Sequence, residues 1–317
     1  KAALRNTLQQ NLQRMPELLL HLPLRETPAL QVDGVTLLQD YSELIDQVEQ
    51  PSFWERIHRP PDYSKLSVPM LHLTGWFDVA LNGTLDSFAL ASREATPFSR
   101  AHQWLIIGPW THGGFLDAGL EGESFGPAAD GLAFDVPGLM RRFMDAFLCN
   151  QADAMQSVPK VQYFQLGDNP WCESDEWPPR RVTETPLYLH ANGTLARNPP
   201  QSPNDALQYV YNPQQPFPSD AADAQGRTFL RDYQPLFERE DVLTFHSQPT
   251  SSPLKIVGRL LMELYAASSA VDTDFVCIIG DEAPDGSVRR LSFGLTRARF
   301  RHGPVPEPLV PNQCNLF

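Results

Sequence analysis

Several features are scarce in this 317-residue sequence, and each absence excludes a class of protein. Lysine and arginine number 25 against 38 aspartates and glutamates, giving a formal charge of -13 and no basic stripe for nucleic-acid phosphates. No apolar run approaches the roughly 20 residues that a membrane-spanning helix needs. We therefore expect no nucleic-acid partner and no membrane association, and we read the acidity as a solvated surface.

Cysteine is also scarce. Its four positions show neither a CxxC pair nor zinc-ligand spacing: Cys149, Cys172, Cys277 and Cys314. This pattern predicts reduced, mostly packed thiols, which is typical of a cytoplasmic protein. We expect no metal and no cofactor.

The stretch from Val68 to His112 organises the rest of the chain. Two short apolar runs, Met70–Leu73 and Trp104–Ile107, each lead to a glycine-containing corner. Between the runs, apolar residues recur at helical spacing: Leu81, Leu85, Phe88 and Ala89. The pattern predicts a β-α-β unit with two buried parallel strands.

Each predicted strand is followed by one titratable residue just beyond its carboxyl end, Asp78 after the first and His112 after the second. Catalytic groups of open α/β sheets gather at that rim. An acid followed by a histidine is the order of the last two members of a Ser-Asp-His triad of the α/β-hydrolase type. Asp78 as the N-cap of the next helix is the alternative. The weaker competitors are Asp86, Asp117, His72 and His102.

A serine nucleophile in its usual setting is missing. Gly122–Gly126 satisfies the G-x-S-x-G formula, but the elbow needs a buried strand before it and a helix directly after it. The preceding residues do not read as a strand, helix breakers follow, and the motif comes after the histidine. We therefore interpret Ser124 as a decoy.

At these residues the sequence resembles the cocaine-esterase-like acyl hydrolases, relatives of the Xaa-Pro dipeptidyl-peptidases and the α-amino-acid ester hydrolases. The resemblance is carried by VPMLHLTGWFD, GTLDSF and IIGPWTHG, and downstream by VPKVQYFQLGDNPW, DEWPP, YNPQQPFP, EREDVLTF, SSAVDTDFV and PDGSVRRLSFGLTRARFR. It implies an α/β plus β fold: the C-terminal part of an α/β-hydrolase domain with part of a helical cap, followed by a jelly-roll β-sandwich.

The resemblance also implies the site. Asp78 would be the triad acid and His112 the general base, while the serine and the oxyanion-hole donors belong to strands that precede anything in this chain. We therefore expect this chain alone to be inactive. The aromatic residues Trp76, Phe77 and Trp110 are candidates for an apolar substrate pocket, or they only pack the corner.

Three domains follow from this interpretation: a partial helical cap and link over residues 1–67, the hydrolase part over 68–178, and the jelly roll over 179–317. Helical patterns cover Ala2–Leu20, Leu37–Val48 and Pro137–Leu148, and the proline-rich stretch from Pro51 to Leu66 reads as a link. About six strands are visible after residue 179, whereas a jelly roll normally has about eight. We therefore expect a truncated sandwich.

The expected function is a serine hydrolase that cleaves acyl esters or activated amides of small molecules. An Xaa-Pro dipeptidyl-peptidase is the first alternative, and a non-catalytic binding module is the second. Two buried parallel strands without sheet neighbours leave unpaired edges, so a homo-oligomer or a partner chain is also left open.

Overall fold

The computed structural model describes residues 2–14, 18, 21, 26, 31–32, 35–36, 39–48, 50–57, 61–118, 124–201, 206–218 and 232–317. The chain divides into two compact units. The first consists of Lys1–Pro61, Met262–Cys277 and Gly294–Phe317, and the second of Asp62–Leu261 and Ile278–Phe293.

The described helices and strands are named here in chain order. The helices are α1 (Ala2–Gln13), α2 (Gln39–Gln47), α3 (Pro51–Ile57), α4 (Leu81–Glu94), α5 (Pro97–Ala101), α6 (Val136–Leu148) and α7 (Gln234–Phe237). The strands are β1 (Gln31–Val32), β2 (Val35–Thr36), β3 (Met70–Phe77), β4 (Gln103–Thr111), β5 (Gly114–Ala118), β6 (Val161–Phe164), β7 (Trp171–Ser174), β8 (Tyr188–Leu189), β9 (Leu195–Ala196), β10 (Tyr265–Ala266), β11 (Asp274–Glu282), β12 (Val288–Arg297) and β13 (Asn315–Leu316).

The second unit is built on a mixed five-stranded sheet with the order β3-β4-β6-β7, in which β5 pairs with β4. Strand β4 is parallel to both β3 and β6, and β7 runs antiparallel to β6. The predicted β-α-β unit is present as β3, α4 and β4. Its two strands are therefore sheet neighbours with their carboxyl ends at the same edge.

Strand β4 is the centre of this unit because it is buried along its whole length. Leu105 and Ile107 face the side where Phe88 of α4 packs, and Trp104 and Ile106 face the side where Leu139 of α6 packs. Successive residues of a strand point to opposite faces. The continuous apolar run of β4 thus fills two cores at once, as in a parallel sheet covered by helices on both sides.

Two glycines make room for Trp110, whose side chain is 1% exposed. A Cβ atom on Gly75 would lie 2.1 Å from the carbonyl oxygen of Trp110, and one on Gly108 would lie 2.3 Å from its ring. Neither distance is compatible with van der Waals contact. The glycine at each strand corner is therefore needed for close packing of β3, β4 and this indole.

In the first unit, α1 and α2 lie within the predicted helical stretches. The expectation of a link from Pro51 to Leu66 is wrong in part, because Pro51–Ile57 is the helix α3. Proline is favourable in the first turn of a helix, where its missing N–H has no intrahelical partner anyway. Within the described residues, no helix has the length and apolarity that a membrane span requires.

Beyond residue 179 the described strands form two-stranded pieces: β8 with β9, β11 with β12, and β10 with β13. The segment LQYVYN contains no strand, and LKIVGRLLMELYAAS contains only β10. Among the described residues LQYVYN has no strand partner, and of LKIVGRLLMELYAAS only Tyr265–Ala266 is paired, with β13; Val210 is 84% and Leu261 82% exposed. The jelly roll therefore stays a prediction.

A buried polar network lies at the amino-terminal ends of β3 and β4. His72, only 6% exposed, bonds through Nε2 to Oε1 of Gln103 at 2.9 Å. The Gln103 amide donates to the carbonyl of Ser99 at 2.7 Å, and the Ser99 hydroxyl donates to the carbonyl of Val68 at 2.7 Å. Burial lowers the pKa of His72, and the hydrogen bond to Gln103 offsets part of that effect.

We expect Gly75→Ala to destabilise the protein by about 1–3 kcal/mol or more, because the new methyl group overlaps backbone atoms of Trp110. Gly83→Ala in α4 is the matched control, since no atom lies within 4 Å of its added Cβ. The control should raise stability by about 0.4–1 kcal/mol. Urea unfolding followed by circular dichroism measures both, and equal midpoints would contradict the packing assigned to Gly75.

The network also predicts a pH dependence. Because the pKa of His72 is lower in the folded state, the unfolded chain binds this proton first, and stability falls as the pH drops below about 6.5. His72→Gln keeps a donor for Gln103 but does not titrate. Its free energy of unfolding should therefore change less than that of the parent between pH 7.5 and 5.5. Parallel pH dependences in denaturant titrations would rule out this contribution.

Candidate active site

The register between β3 and β4 brings Asp78 level with His112. Gly75 pairs with Gly108, but Phe77 pairs with Thr111, so β4 contains one extra residue in this interval. The irregularity falls at Pro109 and Trp110. Proline is tolerated at a bulge because it has no N–H to donate, and bulges re-aim the residues that follow them. The residues directly after the last pair, Asp78 and His112, consequently face each other.

Nδ1 of His112 lies 2.8 Å from Oδ1 of Asp78, within hydrogen-bond distance. The Asp78 side chain is 16% exposed and the His112 side chain 55%. The carboxylate is thus mostly enclosed, while the imidazole reaches solvent. A neutral imidazole that donates from Nδ1 has its lone pair on Nε2, which makes Nε2 the proton acceptor.

Asp78 also shapes the start of α4. Its Oδ1 accepts the N–H of Ala80 at 2.8 Å, and its carbonyl accepts the N–H of Leu81 at 3.0 Å. The side chain therefore combines a turn-stabilising contact, which is the alternative reading of this residue, with the contact to His112. The two contacts are compatible because a carboxylate oxygen can accept more than one hydrogen bond.

His112 lies in a two-residue turn. Thr111 at the end of β4 pairs with Gly114 at the start of β5, so only His112 and Gly113 lie between the paired residues. Gly114 has φ +93°, a backbone conformation that residues with a side chain rarely adopt. Strand β5 was not predicted from the sequence, because GFLDA has no strand-like alternation. The Gly-Gly pair after His112 was the one local signal for a tight turn between two strands.

The three aromatic pocket candidates have different surroundings. Trp76 is partly buried, donates from Nε1 to the carbonyl of Phe164 at 2.6 Å, and lies beside Trp177. Phe77 is partly buried and stacks on Phe125 with ring centroids 5.8 Å apart. Trp110 is 1% exposed and donates from Nε1 to the carbonyl of Ala129 at 2.8 Å. The burial of Trp110 favours the packing alternative for that residue.

A shallow groove of about 480 Å³ opens close to Asp78. Its walls come from β3, from the turn after Asp78 and from the first turns of α4: His72, Leu73, Val79, Ala80, Gly83, Thr84 and Ser87. None of the three aromatic candidates lines it. Sequence reasoning did not single out this surface, because it forms only when α4 lies on β3.

The other residues that the sequence offered as nucleophile, acid or base make different contacts. Ser124 is exposed, its hydroxyl accepts the N–H of Gly126 at 3.3 Å, and no hydrogen bond joins it to His112 in the described part of the chain. Asp86 pairs with Arg259 at 2.5 Å on the surface of α4. His102 bonds through Nδ1 to the carbonyl of Phe98 at 2.6 Å. His72 belongs to the buried network, and Asp117 lies in β5.

The four cysteines are unpaired, and Cys149 and Cys314 are exposed, so the expectation of mostly packed thiols is wrong for these two. No group of three or more His, Cys, Asp or Glu side chains within the described ranges could hold a metal ion.

Two family models match the chain. The model of the X-Pro dipeptidyl-peptidase (S15 family) matches residues 5–114, which include Asp78 and His112. The model of the X-Pro dipeptidyl-peptidase C-terminal non-catalytic domain matches residues 153–315, just over half of the chain.

Individual relatives agree with these matches. Cocaine esterase from Rhodococcus sp. is 28% identical over 305 residues, which cover 91% of this chain and 50% of that protein. A Mycobacterium bovis protein that carries the provisional name of a serine esterase is 29% identical over 242 residues, 74% of this chain and 36% of that protein. The chain thus spans half or less of the length of these curated relatives.

A solved structure shares the fold. The crystal structure of an aminopeptidase from a marine-sediment Thaumarchaeota archaeon matches with a TM-score of 0.72 at 24% identity, covering 88% of this chain and 49% of that one. At this identity the likeness concerns the fold alone. The matched family models, supported by the cocaine-esterase relationship, confirm the resemblance seen in the sequence: the chain belongs to the family of X-Pro dipeptidyl-peptidases and cocaine-esterase-like hydrolases.

Proposed function

We propose that this chain supplies the acid and the base of a serine hydrolase that cleaves acyl esters or activated amides. The observation that carries the proposal is the 2.8 Å contact between His112 Nδ1 and Asp78 Oδ1. The two residues follow adjacent parallel strands, in the chain order acid and then histidine.

In the proposed reaction, Asp78 accepts the Nδ1–H of His112 and fixes the tautomer in which Nε2 carries the lone pair. Nε2 takes the proton of a serine hydroxyl as the serine oxygen attacks the acyl carbon. The resulting imidazolium, stabilised by the Asp78 carboxylate, returns the proton to the leaving alcohol or amine. Water then attacks the acyl-serine by the same proton transfers, which releases the carboxylic acid and regenerates the serine.

The serine lies outside these 317 residues in this proposal. Ser124 is unsuited because the short 3-10 helix Pro127–Ala129, and no α-helix, follows its G-x-S-x-G motif. Without the nucleophile and the oxyanion hole, only a small residual rate remains. The chain by itself is therefore expected to be inactive.

The substrate is proposed to be a small-molecule ester, an inference supported by the name of the cocaine esterase relative. Trp76 and Phe77, partly buried next to Asp78, are proposed to contribute apolar surface to an acyl or leaving-group pocket, although they pack in different clusters. Trp110 is 1% exposed, so its proposed part is to pack the strand corner at Gly75 and Gly108. No cofactor takes part in the proposed reaction.

An Xaa-Pro dipeptidyl-peptidase is the second candidate, because the model that matches residues 5–114 carries that description. This activity needs an anchor for the free amine of the substrate, and none is identified among the described residues. A binding role without catalysis remains the third candidate for residues 153–315, whose matching model is described as non-catalytic.

The proposed organisation keeps the partial cap and link over residues 1–67, the hydrolase part over 68–178 and a truncated jelly roll over 179–317. A cytoplasmic location, and a homo-oligomer or a partner chain that covers the open edge of β3, belong to the same proposal.

A serine-directed fluorophosphonate probe tests the function. We expect the full-length gene product that contains this sequence to be labelled, and the 317-residue chain not to be. His112→Ala in the full-length protein should abolish labelling, because the base is lost, whereas Ser124→Ala should leave it unchanged. Labelling of the 317-residue chain at Ser124 would overturn the proposal.

A panel of p-nitrophenyl esters and Xaa-Pro amides, tested on the full-length gene product, then separates esterase from peptidase activity.

Asp78→Asn tests the acid. The amide keeps an oxygen for the N–H of Ala80 but loses the charge that stabilises the imidazolium, so kcat for a p-nitrophenyl ester should fall by about 10³- to 10⁴-fold. Asp86→Asn, an exposed change on α4, is the matched control and should leave kcat unchanged. Long-range 15N–1H NMR of His112 should show a loss of the single tautomer in Asp78→Asn. A variant with undiminished kcat would exclude Asp78 as the triad acid.

A further inference from the structure

The backbone on either side of His112 is held more firmly than its ring. Within the described part of the chain the ring makes one hydrogen bond, to Asp78, and its side chain is 55% exposed, so packing covers less than half of it. Thr111, the preceding residue, is 1% exposed and pairs with Phe77 on one side and with Gly114 on the other. The orientation of the imidazole therefore depends mainly on the turn from which it projects.

The Thr111 side chain takes part in that turn. Its Oγ1 accepts the N–H of Gly113 at 3.2 Å. This hydrogen bond spans His112, because it joins the residue before the histidine to the residue after it. Threonine hydroxyls close turns of this kind by bonding to backbone two residues on.

We propose that Thr111 is a positioning residue for His112: its hydroxyl fixes the turn that aims Nε2 at the reacting hydroxyl. The inference rests on the proposed function, since it assigns a role within the same site. The hydroxyl itself touches no reacting atom. Its effect is geometric, and misplacement of a catalytic group by 1 Å can cost on the order of 10²-fold in rate.

The chemistry of the side chain separates this role from simple packing. Valine has nearly the same shape as threonine and fills the same buried space, but it offers no oxygen to the N–H of Gly113. Serine has the oxygen but lacks the methyl group. Thr111→Val therefore removes the turn contact and keeps most of the packing, and Thr111→Ser does the reverse.

The test uses the full-length gene product and a p-nitrophenyl ester that it hydrolyses. Thr111→Val should lower kcat by about 10- to 100-fold with KM little changed, because the hydroxyl contacts no substrate. Thr111→Ser should recover most of that loss. Ile107→Val, a buried change in the same strand, is the control for general destabilisation and should leave kcat near the parent value.

A second readout does not depend on activity. The Nδ1–H proton of His112, observed by NMR, should exchange with solvent faster in Thr111→Val than in the parent or in Thr111→Ser. If Thr111→Val does not fold, Thr111→Ala measured at low temperature removes the same oxygen and has the same expected result.

The outcomes distinguish this inference from the proposed function. Loss of activity in His112→Ala together with a parent-like Thr111→Val, in both kcat and proton exchange, would refute the positioning role alone. Full activity in His112→Ala would refute the proposed function. A loss in Thr111→Val that Thr111→Ser fails to recover assigns the effect to packing and also overturns the inference.

Discussion

The parallel pairing of β3 with β4 is the constraint on which the candidate site depends. One extra residue in β4, at Pro109 and Trp110, makes Phe77 level with Thr111. A strand rises by about 3.3 Å per residue, so a shift of one residue would separate Asp78 from His112 by more than a hydrogen bond can span. Gly75 and Gly108 make this register accessible, because a side chain at either position would collide with Trp110.

The site combines well-anchored strand ends with an exposed imidazole. Indole N–H groups of Trp76 and Trp110 donate to the backbone carbonyls of Phe164 and Ala129, which follow His112 in the chain. Later segments of the polypeptide thus anchor the ends of the earlier strands. Asp78 is mostly enclosed between these strand ends, whereas His112 projects from them. Such preorganisation suits a proton-transferring group that must meet a reactant from outside.

Family membership and site geometry support the same chemistry but at different levels of detail. The acid and the base would be shared by an esterase and an X-Pro dipeptidyl-peptidase, because acyl transfer from an ester or an amide uses the same proton movements. Discrimination between these substrates depends on groups that bind the acyl and leaving portions. Trp76 and Phe77 are the proposed contribution of this chain to that choice.

Local pattern alone determined the elements with strong periodicity: the buried strands β3 and β4, the helices α4 and α6, and the placement of Asp78 and His112 just beyond two strand ends. Tertiary structure decided the bulge at Pro109, the pairing of Thr111 with Gly114 and the helix α3 in a stretch that reads as a link. It also left LQYVYN without a strand partner among the described residues. The physical reason is that periodicity reports the burial of a segment against some neighbour. It does not specify which strand that neighbour is, or in what register residues 34 positions apart will meet.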